Sequence, residues 1–324
     1  MESPNILDVR NLKTYFFTDE GVVKAVDDVS FTIGRGGTMG LVGESGSGKS
    51  VTALSITRLI AHPGRVVDGE IFLNGENILA LDEAGMRLWR GSRVSMIFQE
   101  PMTALNPVLT IGYQIAESVL AHEKVSKAAA SDRAVEAMKA VAIPDAARRA
   151  KDFPHQLSGG MRQRVMIAMA LVCNPTLLIA DEPTTALDVT IQAQILELLS
   201  SLREEYDLSL MLISHDLGVI AEVAETVAVM YAGKIVEIGP AEKVFREARH
   251  PYTKGLLRSI PKLGSSLREK ARLEVIDGVV PSLLHLPPGC SFASRCSGKT
   301  DECTATDIPL DIVGDKHRVR CIHA

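Results

Sequence analysis

The sequence has little that would place the chain within a membrane or on a nucleic acid. Its 324 residues contain no run of eighteen apolar residues, so no membrane-spanning helix is predicted. The segment Met1–Pro4 shows no basic and apolar signal pattern, and we therefore expect a cytoplasmic protein. The formal charge of −5 gives no indication of a nucleic-acid partner. Hydrophobic residues make up 46% of the chain, a globular balance that allows one large domain and a smaller one.

Cysteine is also scarce, and four of the five cysteines lie near the C-terminal end of the sequence. Of five cysteines, Cys173 lies in an apolar helical segment, and the others are Cys290, Cys296, Cys303 and Cys321. In a reducing compartment, such a cluster favours a metal site over disulfides. Four thiolates can hold a [4Fe–4S] cluster or a tetrahedral Zn²⁺ ion. The spacing matches neither the usual zinc pairs nor the ferredoxin pattern, so iron–sulfur, zinc and unligated thiols all stay open. The neighbouring basic residues, expected to offset a cluster's charge, are Arg295, Lys299, Arg318 and Arg320.

A glycine-rich stretch carries the strongest motif. It fits G-x-x-x-x-G-K-[ST] and consists of Gly43, Glu44, Ser45, Gly46, Ser47, Gly48, Lys49 and Ser50. The short apolar run Met39–Val42 before it predicts a buried strand, and residues Val51–Ile60 after it have helical spacing. Strand, glycine loop and helix in this order are the context that a phosphate-binding loop requires.

The chemistry of this stretch follows from its backbone. Glycines let the chain turn sharply and approach phosphate oxygens closely. The N–H groups of the loop and of the first helical turn, including Val51, have no partner within the helix and face an anion. Lys49 adds a positive charge for the outer phosphates, and the Ser50 hydroxyl can ligate Mg²⁺. The sequence therefore predicts a site for a nucleotide and magnesium.

Two further buried strands end in polar side chains. Residues 177–180 predict a strand, and Asp181 and Glu182 lie at its carboxyl end. Ligands bind at this end of the strands in parallel sheets. Asp181 suits the Mg²⁺ shell, and Glu182 can orient and deprotonate a water molecule. The run Leu210–Ile213 is followed by His215, which either faces the same phosphates or is structural. A pair of surface acids is the alternative for the two carboxylates.

Other segments allow two interpretations. An apolar helix is predicted to begin at Ser158, Gly159 and Gly160. These residues are either a second anion-binding site or a plain N-cap. Tyr15 and Phe16 lie at the end of a segment with a strand pattern. Their rings either pack in the core or stack on a nucleobase.

The pattern along the chain predicts a mixed organisation. Residues 6–33 alternate as antiparallel strands around the turn Thr18–Gly21, and residues 226–238 predict a hairpin around Ala232 and Gly233. From Tyr113 to about Phe153 the chain is helical in pattern. Prolines break up regular structure after residue 260, so we place a domain boundary near residues 255–265.

Together these pieces resemble the ATP-binding subunit of an ABC transporter. The signature motif is Leu157–Met161, the Walker B strand is Leu177–Asp181, and the D-loop is Ala186–Asp188. The resemblance implies an α/β fold, a P-loop NTPase with a mixed sheet core, an antiparallel β subdomain and a helical insertion at about residues 100–172. It implies an ATP-binding domain over residues 1–260 and a small cysteine-containing extension over residues 261–324.

The same resemblance implies a role for each site residue. Glu182 is the catalytic base, His215 the switch histidine, and Gln99 the Q-loop residue that contacts the γ-phosphate and Mg²⁺. Phe16, preferred by its offset over Tyr15, stacks on the adenine. Ser158, Gly159 and Gly160 close on the ATP molecule of a second subunit in a head-to-tail dimer. The helical insertion, with a hinge at Gln99–Pro101, docks on membrane subunits.

A narrower resemblance is to the oligopeptide and dipeptide importer branch. It rests on Gln99–Pro107, on His250–Leu257 and on the cysteine tail. It implies a di- or oligopeptide cargo, with nickel or oligosaccharides as alternatives, and it favours a [4Fe–4S] cluster over Zn²⁺. The implied partners are a second ATPase subunit, identical or related, two transmembrane permease subunits and, indirectly, a periplasmic or extracellular substrate-binding protein. The chain would then sit at the cytoplasmic face of the cell membrane.

Two other functions compete with a transport ATPase. Soluble ABC-type ATPases that act on DNA or ribosomes usually carry long coiled-coil inserts or two cassettes in one chain, and neither is seen here. A regulatory protein that only binds nucleotide would not need Glu182 and His215.

Overall fold

A computed structural model describes residues 4–100, 104–185, 187–259 and 276–324. The hinge residue Pro101, Ala186 of the D-loop and most of the expected domain boundary lie outside these residues. The chain forms two compact units. The first consists of Met1–Leu7, Ile33–Gly37 and Phe72–Ile213, and the second of Asp8–Thr32, Thr38–Ile71 and Ser214–Ala324.

The strands are β1 (Asn5–Thr18), β2 (Gly21–Gly34), β3 (Thr38–Val42), β4 (Gly64–Leu73), β5 (Glu76–Asn77), β6 (Val94–Ile97), β7 (Leu177–Asp181), β8 (Ser209–Ser214), β9 (Thr226–Tyr231), β10 (Lys234–Pro240), β11 (Asp311–Gly314) and β12 (His317–Val319). The helices are α1 (Lys49–Ile56), α2 (Glu83–Trp89), α3 (Ile111–His122), α4 (Lys127–Ala140), α5 (Ala146–Arg149), α6 (Gly159–Leu171), α7 (Val189–Glu205), α8 (Leu217–Val223), α9 (Ala241–Arg246) and α10 (Pro251–Arg258).

The second unit contains the strand that precedes the glycine loop. Strand β3 is parallel to β9, with Met39 opposite Thr226, and β9 is antiparallel to β10. The turn between β9 and β10 uses positive φ angles of 45° at Ala232 and 84° at Gly233, which confirms the predicted hairpin. Strand β10 pairs in turn with β12, and β12 with β11, so the C-terminal strands continue the sheet that carries the loop.

Long strands form another sheet in the N-terminal region. Strands β1 and β2 are neighbours joined by a two-residue turn, and β4 lies on the other side of β1. Strand β4 reverses into β5 through Asn74 and Gly75, whose φ angles of 53° and 83° are those of a tight hairpin turn. The strands predicted over residues 6–33 are confirmed as β1 and β2.

The first unit contains a parallel sheet with its helical insertion. Strand β7 pairs in parallel with β6 on one side and with β8 on the other. Each residue of β7 is buried, as predicted for a fully covered strand. Helices α3, α4 and α6 are preceded by the N-cap residues Thr110, Ser126 and Ser158, whose hydroxyls each accept a backbone N–H of the first turn.

One helix ends earlier than its apolar spacing predicts. The pattern runs from Val51 to Ile60, whereas α1 ends at Ile56. Thr57 caps the helix, and Arg58 takes a positive φ of 53°, which no α-helix continues. Within the described residues, no helix combines the length and apolar character that a membrane crossing needs.

Candidate functional site

The glycine loop between β3 and α1 is closely confined by neighbouring backbone. Gly43 has a φ of 156°, and a Cβ atom there would lie 2.1 Å from the carbonyl oxygen of Met230. Gly48 has a φ of 105°, and a Cβ atom there would lie 2.3 Å from the carbonyl oxygen of Ala25. No side chain fits at either position, because both would collide with backbone rather than with a movable side chain.

Hydrogen-bond donors gather within this loop. The Nζ of Lys49 is buried and donates to the carbonyl oxygens of Gly43 at 2.8 Å and Glu44 at 3.0 Å. The N-cap residue of α1 is Gly48, which has no side chain to cap the first turn. The Ser47 hydroxyl is buried, and within the described residues it has no hydrogen-bond partner. An ammonium group, helix-end amides and an orphaned hydroxyl fit a bound phosphate.

Three predicted catalytic and magnesium-binding residues lie in the first unit. Asp181 is buried at the carboxyl end of β7, and Glu182 follows it. The Oε2 of Glu182 accepts hydrogen bonds from the Nε2 of Gln99 at 2.9 Å and from the Oγ1 of Thr185 at 2.8 Å. The structure therefore brings Gln99 and Glu182 together.

Sequence reasoning gave no role to Thr185. Its position three residues after Glu182 is the only signal that the sequence offers. The side chain reaches the carboxylate because the chain turns directly after β7, where the N–H of Thr185 donates to the carbonyl oxygen of Glu182.

The signature segment is a capped helix start with close packing behind it. The Ser158 hydroxyl is exposed and accepts the N–H of Met161 at 3.4 Å, so Ser158 is the N-cap of α6. A Cβ atom at Gly160 would lie 2.7 Å from the Cγ2 of Ile191 on α7. Glycine at this position therefore lets α6 approach α7. Of the D-loop, Asp188 caps α7 by accepting the N–H of Ile191.

The remaining predicted nucleotide residues belong to the second unit. His215 follows β8 and is exposed, next to Asp216, which caps α8. The ring of Phe16 packs over Gly64, where a Cβ atom would lie 2.6 Å from its Cε1. The hydroxyl of Tyr15 donates to Asp27 at 2.6 Å, and burial, together with this carboxylate, raises the pKa of Tyr15.

The four clustered cysteines are free thiols around one small cavity of about 70 Å³. Burial raises the thiol pKa of Cys290 and Cys321, which favours the protonated form. The Nε2 of His323 lies 3.7 Å from the Sγ of Cys303. Within the described ranges of the chain, no group of three or more His, Cys, Asp or Glu side chains is arranged to hold a metal ion.

Two basic residues expected to offset a cluster's charge are directed elsewhere. The guanidinium of Arg295 donates to the Glu44 carboxylate at 2.8 and 3.2 Å, and that of Arg320 donates to Asp28 at 3.2 Å. The expectation is wrong for both, because each cation is matched to a carboxylate of its own. The link from Arg295 to the glycine loop was missed, as was the Tyr252 hydroxyl, which accepts the N–H of Glu44 at 2.9 Å. Tyr252 lies in the His250–Leu257 motif, which was the only signal for it.

Comparison with protein families gives two matches. The ABC transporter family matches residues 26–185, and the C-terminal region of oligopeptide/dipeptide transporters matches residues 236–303. A putative peptide import ATP-binding protein of Brucella melitensis is 54% identical, over 99% of this chain and 98% of its own. The dipeptide transport ATP-binding protein DppD of Bacillus subtilis is 51% identical, over 98% of this chain and 94% of its own.

Solved structures give the same fold. A dimeric ATP-binding cassette in a post-hydrolysis state, bound to ADP and phosphate, aligns with a TM-score of 0.66 and 28% identity, over 72% of this chain and 98% of its own.

Proposed function

The chain belongs to the ATP-binding subunits of ABC transporters, and from this membership we propose that it hydrolyses ATP to drive peptide import. Relatives that match nearly the whole chain are named for peptide and dipeptide transport, which supports a peptide cargo. The match of residues 236–303 to the C-terminal region of oligopeptide/dipeptide transporters supports it independently. Nickel and oligosaccharides are the alternative cargoes.

Binding of ATP is assigned to the glycine loop. Lys49 and the loop N–H groups hold the β- and γ-phosphates, and Phe16 stacks on the adenine. Ser50, Asp181 and Gln99 are the residues that would hold Mg²⁺. When bound, the ion would supply positive charge to offset the charge that develops on the phosphates. The observation that supports this assignment is the confined loop with its buried Lys49 and orphaned Ser47 hydroxyl.

Hydrolysis is assigned to Glu182. Phosphoryl transfer to water passes through a loose transition state, so the protein contributes mainly position and charge. The Glu182 carboxylate orients the attacking water and accepts its proton, while Gln99 and Thr185 fix the carboxylate through two hydrogen bonds. His215 contacts the γ-phosphate. The pair Gln99–Glu182 is the single observation that carries the catalytic part of the proposal.

A second subunit completes the site. Exposed Ser158, with Gly159 and Gly160, lies at the N-terminus of the thirteen-residue helix α6, where backbone N–H groups favour an anion. We propose that this end contacts the ATP of a second ATPase subunit, identical or related. A similar cassette solved as a dimer supports the assembly. Replacing Ser158 by Arg should abolish hydrolysis and leave nucleotide binding to the single chain intact, whereas retained hydrolysis would argue against a shared site.

The helical insertion offers a surface for the permease subunits. A cavity of about 350 Å³ is bordered by Phe98 before the insertion and by Leu105, His122 and Met169 within it. Phe98 is 40% exposed, and Tyr113 on α3 is 53% exposed. Apolar side chains in such positions fit a partner that covers them. We propose that two transmembrane permeases dock here, which places the chain on the cytoplasmic face of the membrane. A substrate-binding protein acts through those permeases.

The cysteine tail carries a separate proposal. That four sulfur atoms border one cavity supports a shared [4Fe–4S] cluster, with Zn²⁺ as the alternative. Among the residues that the structure describes, no group of three or more His, Cys, Asp or Glu side chains is arranged to hold a metal ion. No catalytic step is therefore assigned to a cluster. Iron and zinc analysis of protein purified without oxygen, with a visible absorption spectrum, decides the matter. Colourless protein without either metal would leave the cysteines as free thiols.

The test of the main proposal is phosphate release from Mg·ATP. The wild-type chain, assembled with its importer partners, should hydrolyse ATP, and replacing Lys49 by Ala should abolish nucleotide binding. Uptake of peptides, nickel or oligosaccharides into vesicles containing the reconstituted importer then identifies the cargo. A chain that neither binds nor hydrolyses Mg·ATP would contradict the assignment.

A further inference from the structure

A residue of the C-terminal tail reaches the glycine loop directly. The Nη1 of Arg295 donates to the Oε2 of Glu44 at 2.8 Å, and its Nη2 donates to the Oε1 of Glu44 at 3.2 Å. Glu44 is the second residue of the loop, directly after Gly43. The two contacts form a paired fork between a guanidinium and a carboxylate, which fixes both groups in orientation as well as in distance.

The guanidinium is itself rigidly held. Its Nε donates to the carbonyl oxygen of Asp277 at 2.9 Å, and its Nη2 also donates to the carbonyl oxygen of Ile276 at 3.0 Å. The side chain is only 5% exposed. The rings of Tyr231 and Phe292 lie 5.8 and 5.9 Å from the guanidinium carbon. Arg295 therefore has little freedom to move away from Glu44.

A second contact fixes the backbone of the same loop residue. The N–H of Glu44 donates to the hydroxyl of Tyr252 at 2.9 Å. Tyr252 is fully buried, and its ring packs 4.6 Å from the ring of Tyr231 and 5.4 Å from that of Phe292. The side chain and the amide of Glu44 are thus both held by residues downstream of β9.

We propose that Arg295 is a positioning residue for ATP binding, which acts through Glu44 to hold the glycine loop in the shape that receives the phosphates. The inference rests on the proposed function of that loop. A loop of small residues loses conformational freedom when it closes on phosphate, and a loop already held loses less. The tail therefore sets nucleotide affinity, although it supplies no group to the nucleotide itself.

The test measures the dissociation constant of Mg·ATP for the full-length chain, by titration with a fluorescent ATP analogue and competition with ATP. Arg295→Met and Glu44→Gln should each weaken binding about tenfold, and Arg295→Lys, which keeps the charge but not the fork, should lie between them and wild type. The double variant should bind no more weakly than either single variant, because both remove the same contact. For Arg295→Met, which lies outside the loop itself, the maximal hydrolysis rate at saturating ATP should change less than twofold.

The matched control is Arg320→Met. Arg320 is another buried arginine of the tail, and it donates to Asp28 and to the carbonyl oxygens of Ile235 and Ile308, all of which lie outside residues 43–50. This variant should lower thermal stability and leave the dissociation constant within twofold of wild type. A general weakening of the tail would instead change nucleotide affinity in both arginine variants.

The outcomes separate this inference from the proposed function. Wild-type protein that binds no Mg·ATP, like Lys49→Ala, would overturn both. Wild-type binding with unchanged affinity in folded Arg295→Lys and Glu44→Gln would overturn the inference alone. Additive losses in the double variant would also overturn it, because Arg295 and Glu44 would then act independently.

Discussion

The amide of Gln99 donates a hydrogen bond of 2.9 Å to the carboxylate of Glu182, across 83 residues of sequence. Gln99 follows β6 closely and Glu182 follows β7, and these strands are parallel neighbours. Their carboxyl ends therefore meet at one edge of the sheet, as expected for ligand-binding positions in parallel sheets. The contact places the amide of Gln99 directly on the carboxylate to which activation of the attacking water is assigned.

Replacing Glu182 by Gln removes the negative charge and preserves the size of the side chain. We expect the hydrolysis rate to fall at least 10²-fold, because the amide cannot accept the proton of the attacking water. Nucleotide affinity should stay within twofold of wild type. Steady-state phosphate release and ATP titration measure the two effects. Glu205→Gln, an exposed acid at the end of α7, is the control and should behave as wild type. Undiminished turnover in Glu182→Gln would exclude this carboxylate as the base.

Thr185 provides a test of how firmly that carboxylate must be held. Thr185→Val removes the hydroxyl that donates to Glu182 at 2.8 Å and keeps the shape of the side chain. Loss of one hydrogen bond to a charged group corresponds to about 1.5 kcal/mol, or roughly a tenfold lower hydrolysis rate. Thr185→Ser, which retains the hydroxyl, should restore most of the rate. Equal rates for the Val and Ser variants would show that the hydroxyl has no catalytic role.

Gly159 and Gly160 allow a matched comparison on one helix. An added Cβ atom would lie 2.7 Å from the Cγ2 of Ile191 in Gly160→Ala, but 3.4 Å from the Cδ2 of Leu187 in Gly159→Ala. We expect Gly160→Ala to lower the free energy of unfolding by about 1–2 kcal/mol, because α6 must move from α7. Gly159→Ala should change it by less than about 0.5 kcal/mol. Chemical unfolding followed by circular dichroism measures both, and equal effects would contradict close packing at Gly160.

His250 predicts a dependence of stability on pH. Burial, with a smaller effect of the Lys254 charge, lowers the pKa of His250 from 6.5 to about 3. The unfolded chain therefore takes up a proton between these values while the folded chain does not. Stability is fully present above pH 6.5 and falls as the pH drops toward 3. From pH 7 to 4.5 the contribution of His250 amounts to about 2.5 kcal/mol.

The variant His250→Asn isolates this contribution, since asparagine can still accept the N–H of Tyr252 that caps α10. Urea unfolding at several pH values should give a shallower decrease for the variant than for wild type. Parallel curves would show that His250 titrates normally in the folded chain.

The parts of the site that sequence predicted are those set by local pattern. The glycine loop needs consecutive residues only, and the acids at 181 and 182 follow an apolar run that marks a buried strand. The hairpin at Ala232 and Gly233 is similarly local. The family resemblance, rather than spacing, supplied the role of Gln99, since nothing near residue 99 in the sequence points to Glu182.

The contacts that sequence could not predict join distant segments or depend on backbone torsion. Arg295 and Glu44 are 251 residues apart, and a basic residue beside a cysteine looked equally suited to offset a cluster's charge. The end of α1 at Ile56 was hidden because Thr57 and Arg58 are not helix-breaking residues, and a positive φ at Arg58 stops the helix. In both cases the outcome, an ion-pair partner or a helix end, is determined by tertiary structure and not by the local sequence pattern.

The backbone of Glu182 has a φ of 47°, a left-handed conformation that costs a non-glycine residue about 1 kcal/mol or more. Glycine would relieve that cost and remove the carboxylate at the same time. Selection for thermal stability alone would therefore favour glycine at this position, at the loss of the carboxylate to which hydrolysis is assigned. A selection for stabilised variants must therefore measure ATP hydrolysis as well as resistance to heating.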